Sequence, residues 1–93
     1  VVNLVNLESL SVSQAELSDI NSVSKLSKLS VLSLHGNQIV SIEPIKTLLN
    51  LKTINIEENC ITDFSPIDYL KENGSLTSVQ GDSVSDQDYD RCK

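Results

Sequence analysis

The stretch Leu29-x-x-Leu32-x-Leu34-x-x-Asn37-x-Ile39-x-x-Ile42-x-x-Ile45-x-x-Leu48 decides the fold. The same series returns 22 residues later as Leu51, Ile54, Ile56, Asn59, Ile61, Phe64, Ile67 and Leu70. Stepping back by the same interval gives Leu7, Leu10, Val12, Ala15, Leu17, Ile20, Val23 and Leu26. Setting the Asn/Ala position aside, the three units offer 21 sites, and every one is apolar. Val1 and Leu4 fit the tail of an earlier unit. Leu76 and Val79 fit the head of a later one, after a three-residue insertion around Asn73-Gly74-Ser75. Self-similarity at a fixed period of this length is the mark of a stacked repeat array.

Each unit has two halves with different periods. Leu-x-x-Leu-x-Leu ends in a period-two stretch, which is a short strand with one face buried. The later apolar residues recur every three positions, which suits 3₁₀ turns or extended segments better than a long α-helix. Pro44 and Pro66 share one repeat position, and each is expected to hold its flank out of regular α-helix. No unit buries its apolar row alone, but stacked units do. Asn37 and Asn59 follow the strand at the tight corner, where a buried amide both donates to and accepts from turning backbone. Ala15 stands at that position in the first unit, so its corner is expected to lack those bonds.

The composition agrees. Of 93 residues, 30 are Leu, Ile or Val, three are aromatic and none is Met. That aliphatic content excludes a disordered chain, and the length limits it to one small domain. No apolar run approaches the roughly 20 residues of a membrane span. The net charge of −6, with seven scattered basic residues, argues against nucleic acid and against anionic membrane surfaces. The chain has neither an initiator Met nor a basic segment leading into an apolar one, so a piece of a longer or processed protein is expected.

On these motifs the chain resembles the leucine-rich repeat family, over roughly residues 1–81. The 22-residue unit and the Ile42–Ile45 and Phe64–Ile67 segments are similar to a subclass that includes bacterial internalin-type proteins and the leucine-rich regulator of type-one protein phosphatase. The resemblance implies an α/β class fold: a right-handed solenoid with a parallel β-sheet on the concave face and a 3₁₀ or irregular convex face. It divides the chain into a partial unit 1–6, units 7–28, 29–50 and 51–75, and a segment 76–93 holding the last strand, a C-terminal cap and an acidic tail. The tail from Leu76 to Val84 is similar to the cap of intracellular members, and Val84 and Tyr89 are expected to fold over the open end. The N-terminal end carries no cap in the sequence and is expected to offer an edge for self-association.

The implied role is a non-enzymatic protein-interaction module that needs no cofactor and no metal and does not insert into membranes. The alternatives are an intracellular scaffold similar to the phosphatase regulators, and a purely structural spacer. The acidic, Ser-rich composition inclines the reading toward a bacterial surface or secreted protein over a cytoplasmic one. Outward strand positions name the candidate partner-binding residues Val31, Ser33, His35, Asn55, Glu57 and Glu58. This face lacks the Trp, Tyr and Arg anchors that dominate strong interfaces, so polar, weak contacts are expected.

Other chemistry finds little support. Ser33, His35 and Glu57 sit on an open strand surface with no oxyanion donors implied, so a hydrolase triad is not expected. Asp86-x-Asp88-x-Asp90 lacks the glycine and distal Glu of a calcium loop and reads as a solvated tail. Cys60 and Cys92 have no metal-ligand spacing. Two free thiols are the expectation, with a disulfide as the alternative if the tail folds back over the last rung.

Overall fold

In a computed structural model, which describes residues 6–92, the repeat units stack as rungs around one apolar interior. Four strands, β1 (Ser9–Ser11), β2 (Val31–Ser33), β3 (Thr53–Asn55) and β4 (Ser78–Gln80), form a parallel sheet in sequence order. The register follows the repeat without a slip: Leu10 is beside Leu32, Leu32 beside Ile54, and Ile54 beside Val79. A one-residue slip would turn every buried side chain outward, so the apolar period alone specifies this register.

Burial is most complete in the second unit. In the second unit Leu29, Leu32, Leu34, Ile39, Ile42, Ile45 and Leu48 are all 0–1% exposed. In the first unit Leu7, Leu10, Val12, Leu17 and Leu26 are only partly buried. Ile20 and Val23 of the same unit are buried, at 2% and 6% exposed. Of the expected self-association edge, Val1 and Leu4 lie outside the described residues, and Leu7, Leu10 and Val12 are among the partly buried ones.

The convex side changes character along the chain. The first two units run through 3₁₀ helices at Asn21–Lys25 and Glu43–Thr47. The third forms a nine-residue helix, α1 (Ser65–Asn73), which departs from the expectation attached to Pro66. Pro66 lies in the first turn of α1, where the missing N–H has no partner to lose and the fixed φ suits a helix. Asn73, Gly74 and Ser75 supply the length that a 22-residue unit lacks. Gly74 closes the helix, its N–H donating to Leu70 O.

The corner asparagines bond backward as well as locally. Asn37 Oδ1 accepts from the Ala15 and Leu17 N–H groups, both at 3.1 Å, and its Nδ2 donates to Val12 O and Leu34 O. Asn59 repeats this one rung on, accepting from Ile39 N–H and donating to Leu34 O and Ile56 O. Each amide therefore serves the rung before it. This corrects the expectation for Ala15, whose own corner is satisfied by Asn37; what Ala15 forgoes is a reach toward the residues before it.

The last rung has no asparagine after it, and the tail supplies substitutes. Gln87 Oε1 accepts from Ile61 N–H, and its Nε2 donates to Ile56 O and Gly81 O. These are the positions served by Asn59, displaced by one rung. The Tyr89 hydroxyl donates to Ile61 O, where Gln38 N–H and Cys60 N–H meet Leu17 O and Ile39 O in the earlier rungs. Val84 does not fold over the end as expected, being 61% exposed. Nor is the segment after it a solvated tail, since Asp86 O accepts from Glu58 N–H and Asp88 N–H donates to Asn59 O.

Asn59→Ala should destabilise the chain by about 1–3 kcal/mol, because buried backbone groups lose their partners. Asn37→Ala should cost a similar amount. Chemical denaturation of both variants measures it, and a near-zero change at both would remove the ladder as a source of stability.

Candidate functional site

The sheet projects two rows of side chains outward. One contains Ser9, Val31, Thr53 and Ser78; the other contains Ser11, Ser33, Asn55 and Gln80. These rows are neutral and small apart from Asn55 and Gln80, which bond each other through Asn55 Nδ2 and Gln80 Oε1 at 2.9 Å. Asn55 Oδ1 also accepts from Glu57 N–H, so this amide is held in one orientation. Val31 is the one apolar member among the two rows and is 40% exposed.

His35 and Glu58 lie at the rim past the strand ends and pair with each other, His35 Nε2 and Glu58 Oε2 being 2.6 Å apart. Glu58 Oε1 also faces Arg91 at 3.6 Å, and Arg91 in turn bonds Asp88. One Arg91 NH group donates to Gly36 O and to Gln14 Oε1, carrying the tail across to the first two units. The expected binding residues therefore separate into two places. Val31, Ser33 and Asn55 belong to the open sheet surface, with Glu57 beside them; His35 and Glu58 belong to a rim cluster tied to the tail. Ser33 neighbours Asn55 rather than Glu57, and His35 meets Glu58, so no nucleophile–base–carboxylate chain is assembled.

Arg91 was not anticipated in this cluster, because 55 residues separate it from Gly36 and no period links them. A second unread feature was periodic. Gln14, Gly36 and Glu58 stand 22 residues apart, and all three have positive φ, at 54°, 73° and 56°. The corner demands the left-handed region, which glycine enters freely and other residues enter at a cost. Glu58 accepts that cost while placing its carboxylate between His35 and Arg91.

A third period lies on the convex side, at Asp19, Ser41 and Asp63. Each side-chain oxygen accepts the N–H two residues on, from Asn21, Glu43 and Ser65 respectively, and so opens the turn that follows. The Ser65 N–H bond, aided by the Ser65 hydroxyl and the Lys46 charge, holds the Asp63 carboxyl below its ordinary value of 3.8.

Cys60 and Cys92 are joined by a disulfide with Cα atoms 6.5 Å apart, which overturns the preference for two free thiols. The tail's bonds to the third unit bring Cys92 back across 32 residues of sequence. Among the described residues no group of His, Cys, Asp and Glu is arranged to hold a metal ion. Among them too, no helix is long and apolar enough to cross a membrane.

Residues 27–69 match the family model for leucine-rich repeats in two copies. Among solved structures, the chain is similar to an internalin C2 of Listeria monocytogenes, with 31% identity and a TM-score of 0.77. That match covers 84% of this chain and 33% of the internalin. An internalin F of the same organism is 33% identical with a TM-score of 0.77, over 85% of this chain and 22% of that one. This chain thus spans a third or less of either internalin. No curated protein matches it by sequence.

Glu58→Ala should destabilise the corner by about 1 kcal/mol more than Glu58→Gly, since both lose the carboxylate and only alanine keeps the left-handed strain. Thermal unfolding of the pair reads this difference directly. For Asp63, the lowered value means its contribution is present above the ordinary carboxylate range and is lost as pH falls through the folded-state value. The stability gap between the native chain and Asp63→Ala should therefore hold at neutral pH and shrink in titrations carried below 3.8.

Proposed function

The chain carries leucine-rich repeats, and from that premise we propose that it is a non-enzymatic protein-interaction module whose partner lies against the concave sheet. The observation that carries this reading is the pair of outward rows on β1–β4. They form an open, in-register surface whose side chains are spent neither on the core nor on an assembled reaction site. Parallel strands keep equivalent positions at a fixed interstrand spacing of about 4.8 Å. A partner is thus met by a regular lattice of hydroxyl and amide groups.

The chemistry of the face sets the character of binding. Ser, Thr, Asn and Gln offer short, directional hydrogen bonds with little apolar area. The aromatic and arginine anchors of tight interfaces are missing from the two rows. The partner is bound through shape and polar register, with Val31 as the apolar point near the middle. Protein interfaces of ordinary size bury about 800 Å² per side, and four strands of three residues each make a small face by that measure.

We further propose a bacterial surface or secreted setting. Its supports are the similarity to the internalins and the Cys60–Cys92 bond, because disulfides persist in oxidising compartments and are rare in the cytosol. The same bond weighs against the intracellular scaffold similar to phosphatase regulators.

Affinity capture from the native source should compare the intact protein with its Ser33→Arg/Thr53→Arg variant. Both substitutions are on the outward rows, at side chains that hold no bond of the fold, and leave the interior untouched. A partner held by the concave face should lose at least about tenfold in affinity, worth 1.4 kcal/mol, with no change in unfolding midpoint. Equal capture by both forms would place binding elsewhere and leave the sheet as a spacer.

A further inference from the structure

The tail does more than cover an end: it makes the bonds that one rung makes to another. In the first two units Gln14 N–H and Gly36 N–H donate to His35 O and Glu57 O of the next rung. At the equivalent place Glu58 N–H donates to Asp86 O. Gln87 takes the place of a ladder asparagine, and the Tyr89 hydroxyl takes the place of a backbone N–H. Yet the tail lacks what holds a true rung. Neither of its 3₁₀ turns, Val84–Asp86 and Tyr89–Cys92, contains a buried residue. Apolar burial dominates folding, and the tail contributes almost none. Its attachment rests on partly exposed polar bonds and one covalent link.

That link is asymmetric. Cys60 is 4% exposed, next to the Asn59 corner, whereas Cys92 is exposed. The open side of the bond for a thiolate from solvent is thus the Cys92 side.

We propose that residues 84–92 form a thiol-released end cap, closed by the Cys60–Cys92 disulfide and opened by a dithiol reductant. One thiolate of the reductant attacks Cys92 Sγ. The Cys60–Cys92 bond breaks, and its electron pair leaves on Cys60 Sγ, which takes a proton. The reductant's second thiolate then attacks its own sulfur in the mixed disulfide. Cys92 departs as a thiolate and is protonated, and the reductant leaves as a disulfide. Two electrons pass from reductant to protein. The cap, no longer held at high effective concentration by its tether, exchanges with an open form. Opening bares a complete repeat end: the N–H groups of Glu58 and Ile61 and the carbonyls of Asn59 and Ile61. It also withdraws Arg91 from Glu58 and so alters the rim of the concave face. The inference is independent of what the sheet binds.

Amide hydrogen exchange on the full chain, oxidised and after dithiothreitol, tests it. Release predicts that protection at Glu58, Ile61 and Asp88 falls at least tenfold. Leu34 and Cys60, whose N–H groups bond within the stack, keep theirs. Cys92→Ser should show the open pattern without reductant and respond no further to it. Unchanged protection at Glu58 and Ile61 on reduction would overturn the proposal, since the cap would then hold without its bond. Protection lost equally at Leu34 and Cys60 would also overturn it, showing the disulfide to be a staple of the whole fold. A Cys92→Ser chain that matched the oxidised protein would do the same.

Discussion

A solenoid this narrow must turn its backbone through a corner in every rung, and at that corner polar groups face an apolar interior. An unpaired buried N–H or C=O costs as much as several good contacts gain. The Asn37 and Asn59 amides solve this problem, and the rest of the structure depends on their doing so. One carboxamide gives a carbonyl to the N–H groups of the preceding rung and an NH₂ to carbonyls on both rungs. The side chain is neutral, so it is buried fully without the desolvation that a carboxylate would suffer. Because each amide binds backward, rungs are joined by hydrogen bonds as well as by apolar contact.

Backward bonding also fixes what an end requires. The first described unit needs no asparagine of its own to close its corner, because the next rung supplies one. The third unit is followed by β4 and the tail, with no further corner asparagine, and must borrow. Gln87 is one methylene longer than asparagine and approaches from a tail that is not a rung, yet it meets the equivalent groups on Ile61 and Ile56. Asp86 and Tyr89 complete the set, and the disulfide keeps them in place. The terminus is therefore satisfied in its hydrogen bonds while remaining poor in buried area.

What was legible in the sequence follows from this division. The apolar positions read directly, because period two and period three are imposed by strands and tight turns whatever the neighbours are. The strands, their register and the corner asparagines came with them. The Asp19, Ser41 and Asp63 turns and the positive-φ corners at Gln14, Gly36 and Glu58 lay in the same 22-residue period. They went unread because their residue types vary while their backbone conformation does not. The tail was illegible for a different reason. Gln87, Tyr89 and Arg91 act through positions set by a fold-back path, and no spacing encodes that path. The candidate site divided in the same way. Val31, Ser33 and Asn55 face outward by strand phase alone, whereas the environment of His35 and Glu58 depends on where Arg91 arrives. Pro66 shows the limit of single-residue rules: the proline that excludes a helix interior also opens a helix, and only the extra residues near Gly74 decide between them.

The rim cluster is where economy of structure and recognition meet. Glycine at position 36 shows that the corner has a residue free of strain, and Glu58 occupies the equivalent place in the next rung despite its φ of 56°. Exposed ion pairs return little stability, on the order of 0–1 kcal/mol each. The pairs with His35 and Arg91 therefore do no more than offset the strain. What they add is placement: a carboxylate fixed at the edge of the concave face, linked to the tail through Arg91 and to the second rung through His35. A surface otherwise composed of small neutral groups thereby acquires one charged landmark. Its position is coupled to whether the end of the array is closed.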